Sequence, residues 1–421
     1  MSVQVTTLQN GIRVASDSFN TVETVSIGAW VETGARNEPA KLNGISHLFE
    51  HMAFKGTTTR SARAISETIE NVGGQINAYT SRENTAYYAK VLAQDAGLAI
   101  NVIADFLQNS ILDEEELERE KSVICQEIRQ TNDTPDDIIF DYFQEYAYPN
   151  QAMGRPVLGN EKIVCSISRD TLRNYVSEQY SASRIIISAA GKIDHATLVS
   201  IAANAFSNMQ NIEFEQYIEP AQYLGGTFHQ SRDLEQVHIL LGANGFAYED
   251  ENFYPASVFS ALFGGGMSSR LFQKIREEHG LVYSIYSFLT GAVDSGLFGI
   301  YAGTSPEEAD KLLPLLRDEI DTICSGDNIT IDEVARARAQ LKASVLMARE
   351  STSARAEQLA RQLMIFKRPK SLSETVEKIE NVSVENVLKS AQKIFSSSPT
   401  MVSLGQLKNF GDMHNFSSTS I

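Results

Sequence analysis

Hydrophobic and polar residues alternate at the start of the chain. Residues 3–19 read as two short strands around the turn dipeptide Asn10-Gly11, and 24–31 (TVSIGAWV) as a third, more apolar strand. Over 43–54 the period becomes helical, with Ile45, Leu48, Phe49 and Met52 at matching intervals. A second helix over 61–72 is opened by Ser61 and stopped by Gly73-Gly74. Strands follow at 75–80 and 84–92, then helices over 95–110 and from the acidic run 113–118, whose carboxylates suit a helix N-terminus. A short helix at 171–179, a strand at 183–190 and a helix at 195–208 complete the first half.

The order then recurs. An apolar strand at 238–243 is followed by helices near 253–263 and 269–278 and by strands near 284–290 and 296–302. Helices run from 306 to 392, and a last strand at 400–404 precedes a polar tail, FGDMHNFSSTSI, expected to fray. The repeat predicts a duplicated α+β protein, each half an antiparallel-rich sheet packed with helices. The expected boundaries are 1–210, a linker over 211–226 containing Pro220 and Gly225-Gly226, and 227–421.

Composition narrows the function classes. Of 421 residues, 43% are hydrophobic and 21% charged, an ordinary globular balance that excludes wholesale disorder. The net charge of −17 repels nucleic acid and attracts basic peptides. Cys125, Cys165 and Cys324 are an odd number at wide spacing, which reads as buried thiols and gives little support to a disulfide framework. The most apolar stretch, 91–107, is broken by Asp95 and Asp105, so no membrane span is expected. With no basic leader before an apolar run, the expectation is a bacterial cytoplasmic protein; a mature organelle-matrix form would look the same.

The segment with most chemistry is His47-Leu48-Phe49-Glu50-His51. Residues four apart on a helix share a face, so His47 and His51 can reach one ion, with Glu50 beside them. The pattern is the inverted zinc motif H-x-x-E-H. A third ligand is then needed, and LEREKSVICQEIRQ supplies Glu120 and Glu127, seven apart on one helix face. Either could ligate and leave the other to orient a ligand. A carboxylate pair on a charged helix is also what a solvated face looks like.

These motifs resemble the pitrilysin family of inverted-motif zinc peptidases, in particular the β-type processing-peptidase branch and its bacterial relatives. The likeness runs from LQNGIRVA through GAWVETGARNE, GISHLFEHMAFKGT and GGQINAYTSRENTAYYAKV into LFGGGMSSRLFQKIREEHGLVYSI. It implies two α/β-roll domains per chain and a dimer enclosing a chamber. It also implies one zinc held by His47, His51 and Glu127, Glu50 as general base, and Glu120 as an additional acidic group beside the ligands. By the same resemblance, Asn77 and Ala78 pair with the substrate backbone, and Arg276 and Tyr283 reach the substrate and the reaction intermediate. Asp137 and Asp141 receive an arginine two residues before the cut, and Phe54 lines a pocket for the residue after it. An exposed acidic face and plain core packing are the ordinary alternatives for those last two. The implied activity is a zinc metalloendopeptidase acting on peptides or presequence-like unfolded segments. The rival is a noncatalytic or heterodimer-dependent subunit of a processing complex. The second half has no H-x-x-E-H, and His195, His229, His238, His279 and His414 lack ligand spacing.

Overall fold

The computed structural model describes residues 3–212, 218–326 and 328–407. In chain order the strands are β1 (Val3–Thr7), β2 (Arg13–Ser18), β3 (Thr24–Val31), β4 (Gln75–Thr80), β5 (Thr85–Leu92), β6 (Ile185–Gly191), β7 (Gly226–Gln230), β8 (Val237–Asn244), β9 (Val282–Gly291), β10 (Gly296–Thr304) and β11 (Thr400–Leu404). The first-half helices are α1 (Ile45–Ala53), α2 (Ala62–Glu70), α3 (Ala96–Asn109), α4 (Glu114–Asn132), α5 (Pro135–Ala147), α6 (Glu161–Ser166), α7 (Arg169–Gln179) and α8 (His195–Ala205). The second half has α9 (Phe253–Gly264), α10 (Ala309–Ser325), α11 (Ile331–Ala348), α12 (Thr352–Phe366), α13 (Leu372–Glu380) and α14 (Val384–Phe395), with a π-helical turn at Phe272–Glu278. Part of the expected linker, 213–217, and the polar tail with His414 lie outside the described residues; Gly226 at the linker's end already begins β7.

The chain forms two compact units, and they cut across the sequence. Relative to a division into 1–210 and 227–421, two segments change places: Thr131–Gly154, with α5, belongs to the second unit, and Met347–Pro369, with α12, to the first.

The first unit's sheet has the order β1-β2-β6-β3-β5-β4, in which β2 and β6 run parallel and the other neighbours antiparallel. Strand β3 is buried on both faces, which explains its continuous apolar run. Val25, Ile27, Ala29 and Val31 join the large core with α1, α3 and α4, whereas Trp30 lies on the opposite face with Ala356, Leu359, Ala360 and Leu363 of α12. Each leucine buried there contributes about 2 kcal/mol. The helix is also pinned by a buried ion pair, Arg355 Nε to Asp17 Oδ2 at 2.7 Å and Nη2 to Oδ1 at 2.6 Å, with the guanidinium 3.8 Å over the Phe19 ring.

The second unit repeats this plan, with no equivalent of β1 among the described residues. Its order is β7-β11-β8-β10-β9, with β7 parallel to β11 and the remaining pairs antiparallel. Helix α5 covers one face through Ile139 and Phe143, beside Leu240 and Val402. The other face packs on α9, α10 and α14. No helix among the described residues is long and apolar enough to cross a membrane.

Candidate metal centre

Helix α1 begins without a side-chain cap of its own. Gly44, at φ 98°, supplies the left-handed turn into it, where a Cβ would sit 2.8 Å from the Leu158 carbonyl oxygen. The orphan amides are met from outside the helix, by Glu38 in the preceding loop. Its Oε2 accepts from Gly44 N at 2.8 Å and Asn43 Nδ2 at 2.9 Å, and its Oε1 accepts from Ser46 N at 2.8 Å. A carboxylate at a helix N-terminus is well placed electrostatically. Burial nevertheless pushes the Glu38 carboxyl up to about 7, against the pull of those hydrogen bonds. Ile45, Leu48, Phe49 and Met52 are fully buried, which fixes the rotation of α1 and turns the two histidines towards α4.

The His47 and His51 rings stand 4.7 Å apart, edge to face. Oε2 of Glu127, on α4, lies 3.7 Å from His47 Nε2 and 3.6 Å from His51 Nε2. Ligand atoms at zinc distances of about 2.0–2.1 Å in a tetrahedron sit about 3.3 Å from each other, so the trio is close to the required spacing. The donor set passes a second test: Glu127 Oε2 is buried and has no protein hydrogen-bond partner, an arrangement a cation would satisfy. Burial first, and the neighbouring His51 second, lower His47 to about 3 and hold it neutral, the form that offers a lone pair to a metal.

Two carboxylates flank the trio in different ways. Glu120, on α4, is buried; its Oε2 accepts from His51 Nδ1 at 2.9 Å, and its Oε1 pairs with Lys55 Nζ at 2.6 Å. A proton held on Nδ1 leaves the Nε2 lone pair of His51 free. His47 Nδ1 is buried without such a partner. Glu50 accepts a 2.7 Å hydrogen bond at Oε2 from Thr80 Oγ1. Its carboxyl is raised from the ordinary value, burial being the main cause.

Thr80 and Glu38 are the residues that sequence reasoning missed. Strand alternation from Ala78 was a signal for Thr80, since positions 78 and 80 share a face. Glu38 carried none, because a loop carboxylate contacting backbone amides has no spacing rule.

The other expected site residues are distributed as follows. Asn77 and Ala78 lie on β4, at the end of its sheet, and Asn77 Oδ1 accepts from Ala78 N at 2.8 Å. Phe54 is half-buried against Phe106 and Tyr87, with ring centroids 5.1 and 6.5 Å away. Arg276, Tyr283, Asp137 and Asp141 all belong to the second unit. The Arg276 guanidinium lies 4.7 Å over Phe272 and 5.9 Å over Tyr283, and the Tyr283 side chain is strongly exposed. On α5, Asp137 is exposed and Asp141 half-buried; burial, then the Asp141 charge, raises the carboxyl of Glu145.

Comparison with known proteins identifies the family. Residues 13–161 match the profile described as insulinase (peptidase family M16), and 166–341 the one described as the peptidase M16 inactive domain. A Rickettsia felis protein described as an uncharacterized zinc protease is 38% identical over 402 residues, covering 95% of this chain and 97% of its own. A Bacillus subtilis protein of the same description is 37% identical, covering 93% and 95%. An Arabidopsis thaliana protein described as a probable mitochondrial-processing peptidase subunit beta is 34% identical, covering 98% and 80%. In fold, the chain resembles a protease from Helicobacter pylori with a TM-score of 0.89 at 22% identity, over 96% and 99% of the two chains. Two domain matches in tandem and full-length relatives above 30% identity establish that the chain belongs to peptidase family M16.

Proposed function

We propose that this zinc metalloprotease is an endopeptidase for peptides and presequence-like unfolded segments, enclosing them as a homodimer and favouring arginine two residues before the cut. The observation that carries the reading is the buried, partnerless Glu127 Oε2 facing the Nε2 atoms of both histidines, with Glu50 on the same helix. One zinc ion per chain, held by His47, His51 and Glu127, would act as a Lewis acid towards water and the scissile carbonyl.

The chain's own residues do the rest. Glu50 takes a proton from the attacking water and returns it to the leaving nitrogen. Thr80 holds one Glu50 oxygen and leaves the other for that transfer. The end strand β4 receives an extended peptide at Asn77 and Ala78, a mode tolerant of sequence. Specificity then rests on side-chain pockets. Asp137 and Asp141 offer paired carboxylates to a guanidinium, a geometry lysine does not reproduce. Phe54 meets the residue after the cut, and Arg276 and Tyr283 steady the substrate and the charge that develops on its carbonyl oxygen. The name of the Arabidopsis relative supports the presequence-like substrate class.

The decisive variant is Glu50→Gln. Cleavage of unstructured peptides falls by about 10²- to 10⁴-fold while metal analysis still finds one zinc per chain. Equal cleavage by wild type and variant overturns the assignment of the base. In a cleavage-site survey, arginine enrichment two residues upstream disappears in Asp137→Asn/Asp141→Asn. An inactive, zinc-loaded wild-type chain would instead favour a heterodimer-dependent subunit.

A further inference from the structure

Cys125 and Cys165 are 40 residues apart in sequence, yet their sulfur atoms stand 3.4 Å apart. Cys125 is buried on α4, and Cys165 is exposed on α6. The contact is part of a regular interface. One turn away, Arg129 of α4 donates to Glu161 of α6, Nη2 to Oε2 at 2.7 Å and Nε to Oε1 at 3.3 Å. Moving four residues forward on α4 is matched by four backward on α6, so the helices run antiparallel with thiols and ion pair on successive turns. Val164, beside Cys165, packs at the start of α1: a Cβ added at Gly44 would lie 2.9 Å from its Cγ2. Helix α6 therefore touches both metal-bearing elements, α4 through Cys165 and the entry to α1 through Val164.

We propose that Cys125 and Cys165 form an oxidation site, where a peroxide generates a disulfide that braces α4 against α6 and so holds the two metal-bearing helices together. The exposed Cys165 thiol attacks hydrogen peroxide first, displacing water and becoming a sulfenic acid. The Cys125 sulfur then attacks the Cys165 sulfur; the S–S bond forms, the S–O bond breaks, and the hydroxyl leaves as water with the Cys125 proton. Each cycle oxidises two thiols by two electrons and reduces one peroxide to two waters. Closing the sulfurs to about 2.05 Å requires movement of little more than an ångström. Helix α6 is six residues long and anchors in the core through Val164, while Cys165 is exposed. Cys125 and Glu127 are two residues apart and so point to different sides of α4, which keeps the new bond out of the ligand cluster.

The test treats the zinc-loaded chain with a small excess of hydrogen peroxide, alkylates the remaining thiols and maps the peptides by mass spectrometry. The expected result is a Cys125–Cys165 cross-link that a dithiol reverses, with Cys324 still alkylated. The oxidised protein should also lose zinc to a chelator several-fold more slowly than the reduced protein. Cys165→Ser, a change at an exposed position, should abolish both effects, and Cys324→Ser should leave both. Recovery of Cys165 as sulfinic or sulfonic acid with Cys125 still alkylatable overturns the proposal, as does a cross-link between two chains. A correct cross-link with an unchanged rate of zinc loss overturns the bracing role.

Discussion

The two units share one topology and diverge where chemistry is placed. Each has a parallel pair at one side of its sheet, a central strand, and a terminal hairpin, β4–β5 in one and β9–β10 in the other. Between central strand and hairpin the first unit carries α1, with His47, Glu50 and His51; the second carries α9, whose Val258, Phe259, Leu262 and Phe263 enter an apolar core. The next pair diverges similarly. Helices α4 and α11 each present a buried aliphatic residue in the first turn, Leu117 or Val334. Counting on from there, Glu120 and Glu127 correspond to Ala337 and Ser344. Clustered histidines and carboxylates are expensive to bury unless something compensates them. One copy spends packing on a site, and the other keeps packing alone.

Metal removal should separate the units most strongly. A chelator should abolish cleavage and lower the thermal transition of the first unit while leaving the second in place, as hydrogen exchange resolved by segment would show. Equal loosening of both units would mean that the ion's stabilising effect is not local to its helices.

The exchanged helices offer a second contrast. Helix α12 is fixed by the buried Asp17–Arg355 pair, whereas α5 sits among aromatic rings, Tyr142 on Phe228 and Phe140 on Tyr301. Asp17→Ala strands a buried guanidinium and should destabilise the chain by about 3–5 kcal/mol in denaturant unfolding. Phe140→Leu should lower stability less, by about 1 kcal/mol.

Glu38→Ala removes the acceptor for two helix amides and should lower stability by about 3 kcal/mol, with weaker zinc binding in a competition titration. Its pH signature is separate. With its carboxyl at about 7 in the folded chain against an ordinary 4.5, Glu38 favours folding fully below pH 4.5. That contribution declines as pH rises and is gone above pH 7. Stability of wild type relative to Glu38→Gln should therefore fall across that window; a constant difference would show that Glu38 does not titrate there.

The smallest expected effect tests Thr80. Thr80→Val should lower kcat about tenfold with little change in KM, and Thr80→Ser should restore it. A change confined to KM would place the hydroxyl in substrate binding instead.

Much of the site was legible because it obeys helical spacing. His47, Glu50 and His51 share a helix face by period alone, and two candidates for the third ligand stood seven apart on another. In the folded chain Glu127 Oε2 faces both Nε2 atoms, and Glu120 engages His51 from the far side of its ring. Glu38 and the thiol pair were not legible, since one meets backbone amides from a loop and the other pairs across 40 residues of chain, and for Thr80 the alternation from Ala78 was the one signal.

Local periodicity and turn residues by themselves determined the repeated order of strands and helices, the buried strand β3 and the helix that presents His47 and His51. Such features depend on neighbours within a turn or two, which sequence records directly. It took the folded chain to show that α5 and α12 change units and that two widely spaced cysteines touch. Those outcomes follow from which apolar faces find each other once the sheets have formed, a long-range choice that no local pattern encodes.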